Sequence, residues 1–146
     1  MAENLLAVSS VKTSVSAAAA TATSANISVG KADEYSILIN VTTVTGTSPT
    51  MDVVFQTSID KGTTYANMPF RSAQITAAGV HWFTLRRGLG WGEAAFNQAG
   101  VADTGGALAK NTVFDPNYVK FKYTIGGTNP AFTFSVTFFS NPLSNT

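Results

Sequence analysis

One histidine and eight carboxylates are the side chains of this 146-residue chain with types suited to acid–base or metal chemistry. A catalytic triad or a histidine-based metal site would have to use His81. That residue stands between Val80 and Trp82 in a run that alternates like a strand, the setting of an ordinary strand histidine. The carboxylates are Glu3, Asp33, Glu34, Asp52, Asp60, Glu93, Asp103 and Asp115. Glycoside hydrolysis requires two of them to face one cleft; Glu93 with Asp103 or Asp115 in the long loop is compatible with that, but the spacing selects no pair. The chain has no Asp-rich calcium loop, phosphate-binding glycine loop or nucleophile elbow. It has no cysteine, so a disulfide framework and thiolate metal sites are excluded. The expectation is a protein that is not an enzyme, with no catalytic, cofactor-binding or metal-binding residues.

Aromatic side chains are the other candidates. Trp82, Trp91 and Tyr65 have the flat, partly polar rings that stack on sugars. Trp82, in its strand-like run, is expected in the core. Trp91, between Gly90 and Gly92, is more open, and with Phe96 it is a candidate for contact with another molecule. At the N-terminus Leu5, Leu6 and Val8 form a second candidate contact set.

The bulk composition bounds these readings. Hydrophobic residues make up 45% of the chain and charged residues 12%, about half the usual charged share of roughly 25%. A Thr- and Ser-covered β protein has such a surface, and so does a protein whose surface is covered by other subunits. The net charge is +1, and Lys and Arg are scattered apart from Arg86-Arg87, so nothing points to nucleic acid. No apolar run reaches the ~18 residues of a membrane span. Residues 1–25 do not read as a signal peptide, because Glu3 stands where positive charge belongs and Lys12 interrupts the segment.

The length fits one domain. Residues 1–27 are low in complexity, with Ala17 to Ala20 at the centre and no apolar stripe at helical spacing, and read as an extended arm. Two similar stretches then organise the body, residues 28–146. In the first, Tyr35, Ile37, Ile39 and Val41 share a strand face, Gly46-Thr47-Ser48-Pro49 follows, and Asp52 to Thr57 is again β-rich. In the second, Val119, Phe121, Tyr123 and Ile125 alternate, Gly126-Gly127-Thr128-Asn129-Pro130 follows, and Phe132, Phe134, Val136 and Phe138 share a face. Each reads as a hairpin, with Gly46, Pro49, Gly127 and Pro130 as turn residues. Asp60-Lys61-Gly62 suits a three-residue hairpin loop, held by Asp60 and relieved by Gly62. Residues 88–117 are glycine-rich and aperiodic, a long loop. The pattern predicts an all-β fold: a single antiparallel β-sandwich or barrel, jelly-roll-like, of about eight strands, with an extended N-terminal arm.

Two resemblances add to this reading. Ser58-x-Asp60-x-Gly62-x-Thr64-Tyr65 resembles the Asp-box of sialidases and other β-propellers, with Tyr65 in place of the usual Trp or Phe. That box is a hairpin turn away from the catalytic centre and repeats in its family; here it occurs once, which supports the hairpin and neither a propeller nor an enzyme. Taken together, the Tyr35–Val44 run, Gly46-Thr47-Ser48-Pro49, the Asp52–Thr57 run, the Asp60 turn and the closing Phe121 to Pro130 with its Phe-rich strand resemble small structural proteins of tailed-bacteriophage virions. The resemblance spans residues 27–139 and is weakest in the 88–117 loop. It implies a capsid decoration (cement) protein on the virion's capsid surface, made in the host cytoplasm. Such a protein clamps the major capsid protein, commonly as a homotrimer and frequently through a terminal arm. A tail, fibre or adhesin module that binds host glycans is the alternative.

Overall fold

The computed structural model describes residues 9–30, 32, 34–58, 60–86 and 115–141. Two strands dominate it. One, β3, runs from Glu34 to Thr57 and has 24 residues; the other, β6, runs from Val119 to Asn141 and has 23. They lie antiparallel along their whole length, from Glu34 opposite Asn141 to Thr57 opposite Val119. Four shorter strands complete the sheet: β1 (Ser9–Ala18), β2 (Ala22–Thr23), β4 (Ala66–Arg71) and β5 (Gly79–Arg86). The two stretches read as separate hairpins are therefore single long strands paired with each other. Each contains a glycine and a proline where a turn was expected. However, each segment finds its partner in the other stretch and never folds back on itself.

The outer strands follow the same path. Residues 9–27 run beside β6, Ser9 opposite Ser140, Ala22 opposite Tyr123 and Ile27 bridged to Val119. Residues 66–86 run beside β3, Ala66 opposite Thr57, Ile75 bridged to Met51 and Arg86 opposite Glu34. The result is four antiparallel rows in one open sheet, each row bent near its middle. The fold is all-β and antiparallel, with six strands in one sheet. Neither a closed barrel nor a second sheet is present among the described residues. The described residues form six strands where about eight were expected, because the runs on either side of each Gly-Thr-x-Pro segment join into one long strand.

The bend divides the sheet into two leaves. The first holds residues 9–18, 34–41, 79–86 and 132–141; the second holds 22–27, 51–57, 66–75 and 119–125. Phe55 and Phe138 lie on different leaves, yet their rings meet edge-on with centroids 5.7 Å apart. Phe121 and Phe134 also meet across the leaves, at 6.3 Å. The sheet is thus folded across its own strands, and its inner faces enclose one core. Tyr35, Ile37, Ile39, Val41, Met51, Val53, Phe55, Val119, Phe121, Phe132, Phe134, Val136 and Phe138 are all buried there. The alternating stripes read from the sequence are the two halves of this core.

The corner is built by a local repeat. Gly46-Thr47-Ser48-Pro49 and Gly127-Thr128-Asn129-Pro130 lie side by side around the Thr47–Thr128 pair. Exchanging the strands maps Thr50–Gly126 onto Thr45–Ala131, and Met51–Ile125 onto Val44–Phe132. The backbone repeats too: φ is 108° at Gly46 and 110° at Gly127, and 49° at both Ser48 and Asn129. A Cβ on Gly46 would stand 2.6 Å from the carbonyl oxygen of Asn129, and one on Gly127 would stand 2.7 Å from that of Ser48. Each glycine accommodates the other segment's backbone, and its positive φ turns the strand.

The N-terminal segment is extended, as its composition suggests, but it is not a free arm over its described part. From Ser9 to Ile27 it is the edge row beside β6, with Ala18 and Ile27 buried. Its Thr, Ser and Val alternate as an edge strand requires, and the β6 backbone supplies partners that an arm would lack. The chain then crosses to β3 by a segment pinned through Tyr35, whose phenol donates to the Gly30 carbonyl at 2.7 Å and accepts from the Ala32 N–H at 2.9 Å. The Ser140 hydroxyl donates to the Val29 carbonyl.

Two outcomes are expected. Gly46→Ala and Gly127→Ala each lower stability by about 2–4 kcal/mol in urea unfolding, from a strained φ together with a backbone clash. Deleting residues 2–18 strips an edge row, exposing the β6 backbone and the part of the core against which Val11 and Val15 pack; the truncated chain melts lower and aggregates on heating.

Candidate functional site

The outer face of the first leaf is assembled by strand register. Opposite residues of an antiparallel pair share a face, so Leu38, Trp82, Thr137 and Lys12 form one row across β5, β3, β6 and β1. Asn40 with Val80, Ser135 and Ser14 forms the next, and Ser36 with Phe139 and Ser10 lies on the other side. The face is therefore mainly hydroxyl and amide, with Lys12 in one row and Glu34, paired with Asn141 and Arg86, at its end. Across it runs an apolar stripe. Val80 is 63% and Trp82 58% exposed, and Leu38 and Phe139 are half-buried. The Trp82 and Phe139 rings stack with centroids 5.8 Å apart and planes 23° apart. They meet across the central strand β3, where Ser36 is small enough to leave room.

Trp82 was expected in the core and lies instead on the surface. The reason is parity: His81, the next residue, pairs with Ile39 and takes the inward side. Both faces of β5 are apolar in sequence, so alternation alone does not say which is inside. The Phe138-Phe139 doublet is a clearer signal, because neighbours in a strand must point to opposite faces. Phe138 is buried and Phe139 completes the outer stripe. Leu38, the one apolar residue on the polar side of its strand, also belongs to it.

The acidic candidates are dispersed. Asp52 lies on the outer side of the second leaf, one carboxylate oxygen accepting from Gln74 at 3.3 Å and the other buried without a partner. Asp60 lies in the loop between β3 and β4, and Asp115 precedes β6. Among the described residues no three of His, Cys, Asp and Glu are grouped to hold a metal ion. Leu5, Leu6, Val8, Trp91 and Phe96, the contact residues suggested by sequence, lie outside the described residues, as do Glu3, Asp33, Glu93 and Asp103. So does most of the 88–117 loop.

The Asp60 loop is longer than the three residues expected, since Thr57 pairs with Ala66. Lys61 joins Gly62 at positive φ, 58° and 87°. The Ser58 hydroxyl donates to Asp60 Oδ1 at 2.6 Å and accepts from the Gly62 N–H at 2.9 Å, and the Thr64 N–H donates to the same Asp60 oxygen at 2.7 Å. These bonds hold the Asp60 carboxyl down to about 2, the Ser58 hydroxyl contributing most. Tyr65 closes the loop: its hydroxyl donates to Asn26 Oδ1 at 2.8 Å, and Lys120 Nζ lies 4.1 Å from its ring centroid. Desolvation first, then Tyr118, Asp115 and Asp60, push the Tyr65 phenol up. With Ser58, Asp60, Gly62, Thr64 and Tyr65 tied together in this way, the motif is a turn lock.

No protein-family model, curated protein or solved structure matches the chain.

The lock has a pH signature. Asp60 is lowered in the folded state, so its contribution is present above its unfolded value of 3.8 and is lost as pH falls towards about 2. Asp60→Asn is expected to be less stable than wild type at pH 6, and the gap narrows as denaturation is repeated from pH 5 down to pH 2. A gap of constant size would show that the charge does not hold the turn.

Proposed function

We propose that this protein is a non-enzymatic virion structural protein of a tailed bacteriophage, which decorates the assembled capsid and stabilises it by binding the major capsid protein. The observation that carries the reading is the outer face of the first leaf, where Trp82, stacked on Phe139, stands exposed in a nearly uncharged hydroxyl surface. Burying such a face against protein requires little desolvation of charge, and Trp is among the side chains enriched at the hot spots of binding interfaces. The low charge of the whole chain and the pattern shared with phage structural proteins support the same reading. A shell offers the same site many times over, so copies that also hold one another bind it far more tightly than a single face would.

Re-addition to undecorated capsids tests this. Wild type is expected to saturate the shell, and Trp82→Ala to lower occupancy about tenfold or more at the same concentration. The variant should keep its fold, since the ring is mostly exposed. Equal occupancy by the two proteins would remove the face from the reading.

The same ring favours a second reading, a tail or fibre module that binds host glycans by stacking. A glycan array read with wild type and Trp82→Ala decides between them: Trp82-dependent glycan signal without capsid binding selects the adhesin.

A further inference from the structure

We propose that β5 pairs with β5 of a second copy of this chain, antiparallel about a twofold axis at Trp82. An edge strand exposes a row of unpaired backbone donors and acceptors, and proteins usually blunt it with short strands, bulges, Lys or Pro. The other described edges carry such devices. On β1, Lys12 is exposed and the register shifts between Val15 and Ala18, with Ala17 at φ 49°. Two residues make up β2. On β4 the register shifts between Val54 and Gln56, and Pro69 lacks a donor. By contrast, β5, whose one neighbouring strand among the described residues is β3, has eight residues, matches β3 one-to-one from Gly79 to Arg86, and holds neither Pro nor Lys.

The occupant follows from charge and parity. A paired residue must oppose one on the same face, and centring the pair on Trp82 sets it opposite its own copy. Val80 then stands opposite Thr84 of the second copy, and Arg86 opposite Ala78 of the second copy. The two arginines lie at opposite ends, so no like charges oppose one another. With a net charge of +1, the copies have little overall repulsion to overcome. The Phe139–Trp82 stack continues through both Trp82 rings, an aromatic cross-strand pair of the kind that stabilises sheets, and isologous pairing closes at two copies. One strand edge covers less than about 1,200 Å² in total, the range of weak, reversible contacts. The proposal departs from the trimer that the resemblance implies and does not depend on capsid binding.

Sedimentation equilibrium of the full chain tests it over a concentration series. A monomer–dimer equilibrium is expected. Val80→Lys, at a site that is 63% exposed, should leave circular dichroism unchanged and weaken the dimer at least tenfold, while Ser14→Lys on the same face of β1 should not. Because the chain has no cysteine, a Val80→Cys/Thr84→Cys double variant gives a clean cross-link, and mild oxidation should convert it to a covalent dimer. A monomer at every concentration, a trimer, a dimer indifferent to Val80→Lys, or a double variant that does not cross-link would each overturn the proposal.

Discussion

The antiparallel pairing of β3 with β6, which continues through the corner across two local register shifts, is the constraint on which the molecule depends. Each strand has two apolar stretches separated by a Gly-Thr-x-Pro segment. If either segment reversed as a hairpin, each strand would pair with itself and the two aromatic stripes would lie in separate ribbons. Gly46 and Gly127 prevent this by receiving each other's neighbouring backbone at distances that no Cβ tolerates. The corner then turns both strands together, and Phe55 reaches Phe138 across the fold. The positive φ of Ser48 and Asn129 adds strain that the large shared core offsets.

Much of this was legible in the sequence, and the limits have physical causes. Period-two alternation identified the core stripes correctly, because only one side of each row faces the other leaf. The likeness of the two long stretches was also visible, and it proves to be a local twofold. Their pairing was not visible, because a glycine and a proline between two β runs is equally the signature of a hairpin and of a bent strand. Local chemistry fixes that the chain turns there. Whether it turns back is decided by partners that are distant in sequence. The N-terminal segment was misread for a related reason: an edge strand with one partner needs few apolar residues, and its Thr, Ser and Ala composition matches that of a loose arm.

The surface was harder to read than the core. Alternation was only loose in β5, because both of its faces carry apolar residues, and the inner one is set by pairing with Ile37 and Ile39. Leu38 and Phe139 were each noticeable as apolar residues out of phase. Their meeting with Trp82 depends on the strand order, which no local pattern encodes. The residues of the Asp60 turn were legible, though not its length, because its bonds are local: Ser58, Asp60, Gly62 and Thr64 bond to one another within one loop.

Strand order also bears on how the polypeptide reaches this state. The row lying between β1 and β3 is β6, the last of the six strands in sequence order. Until it arrives, β1 and the first half of the core have no neighbour on that side, and their apolar stripes stay open to water or to other nascent chains. Nearly all of the pairing that matters joins residues far apart along the polypeptide, a topology that folds slowly. The edge row of β1 and β2 therefore has no strand to join until β6 is present, whereas β3 can pair with β4 and β5 beforehand.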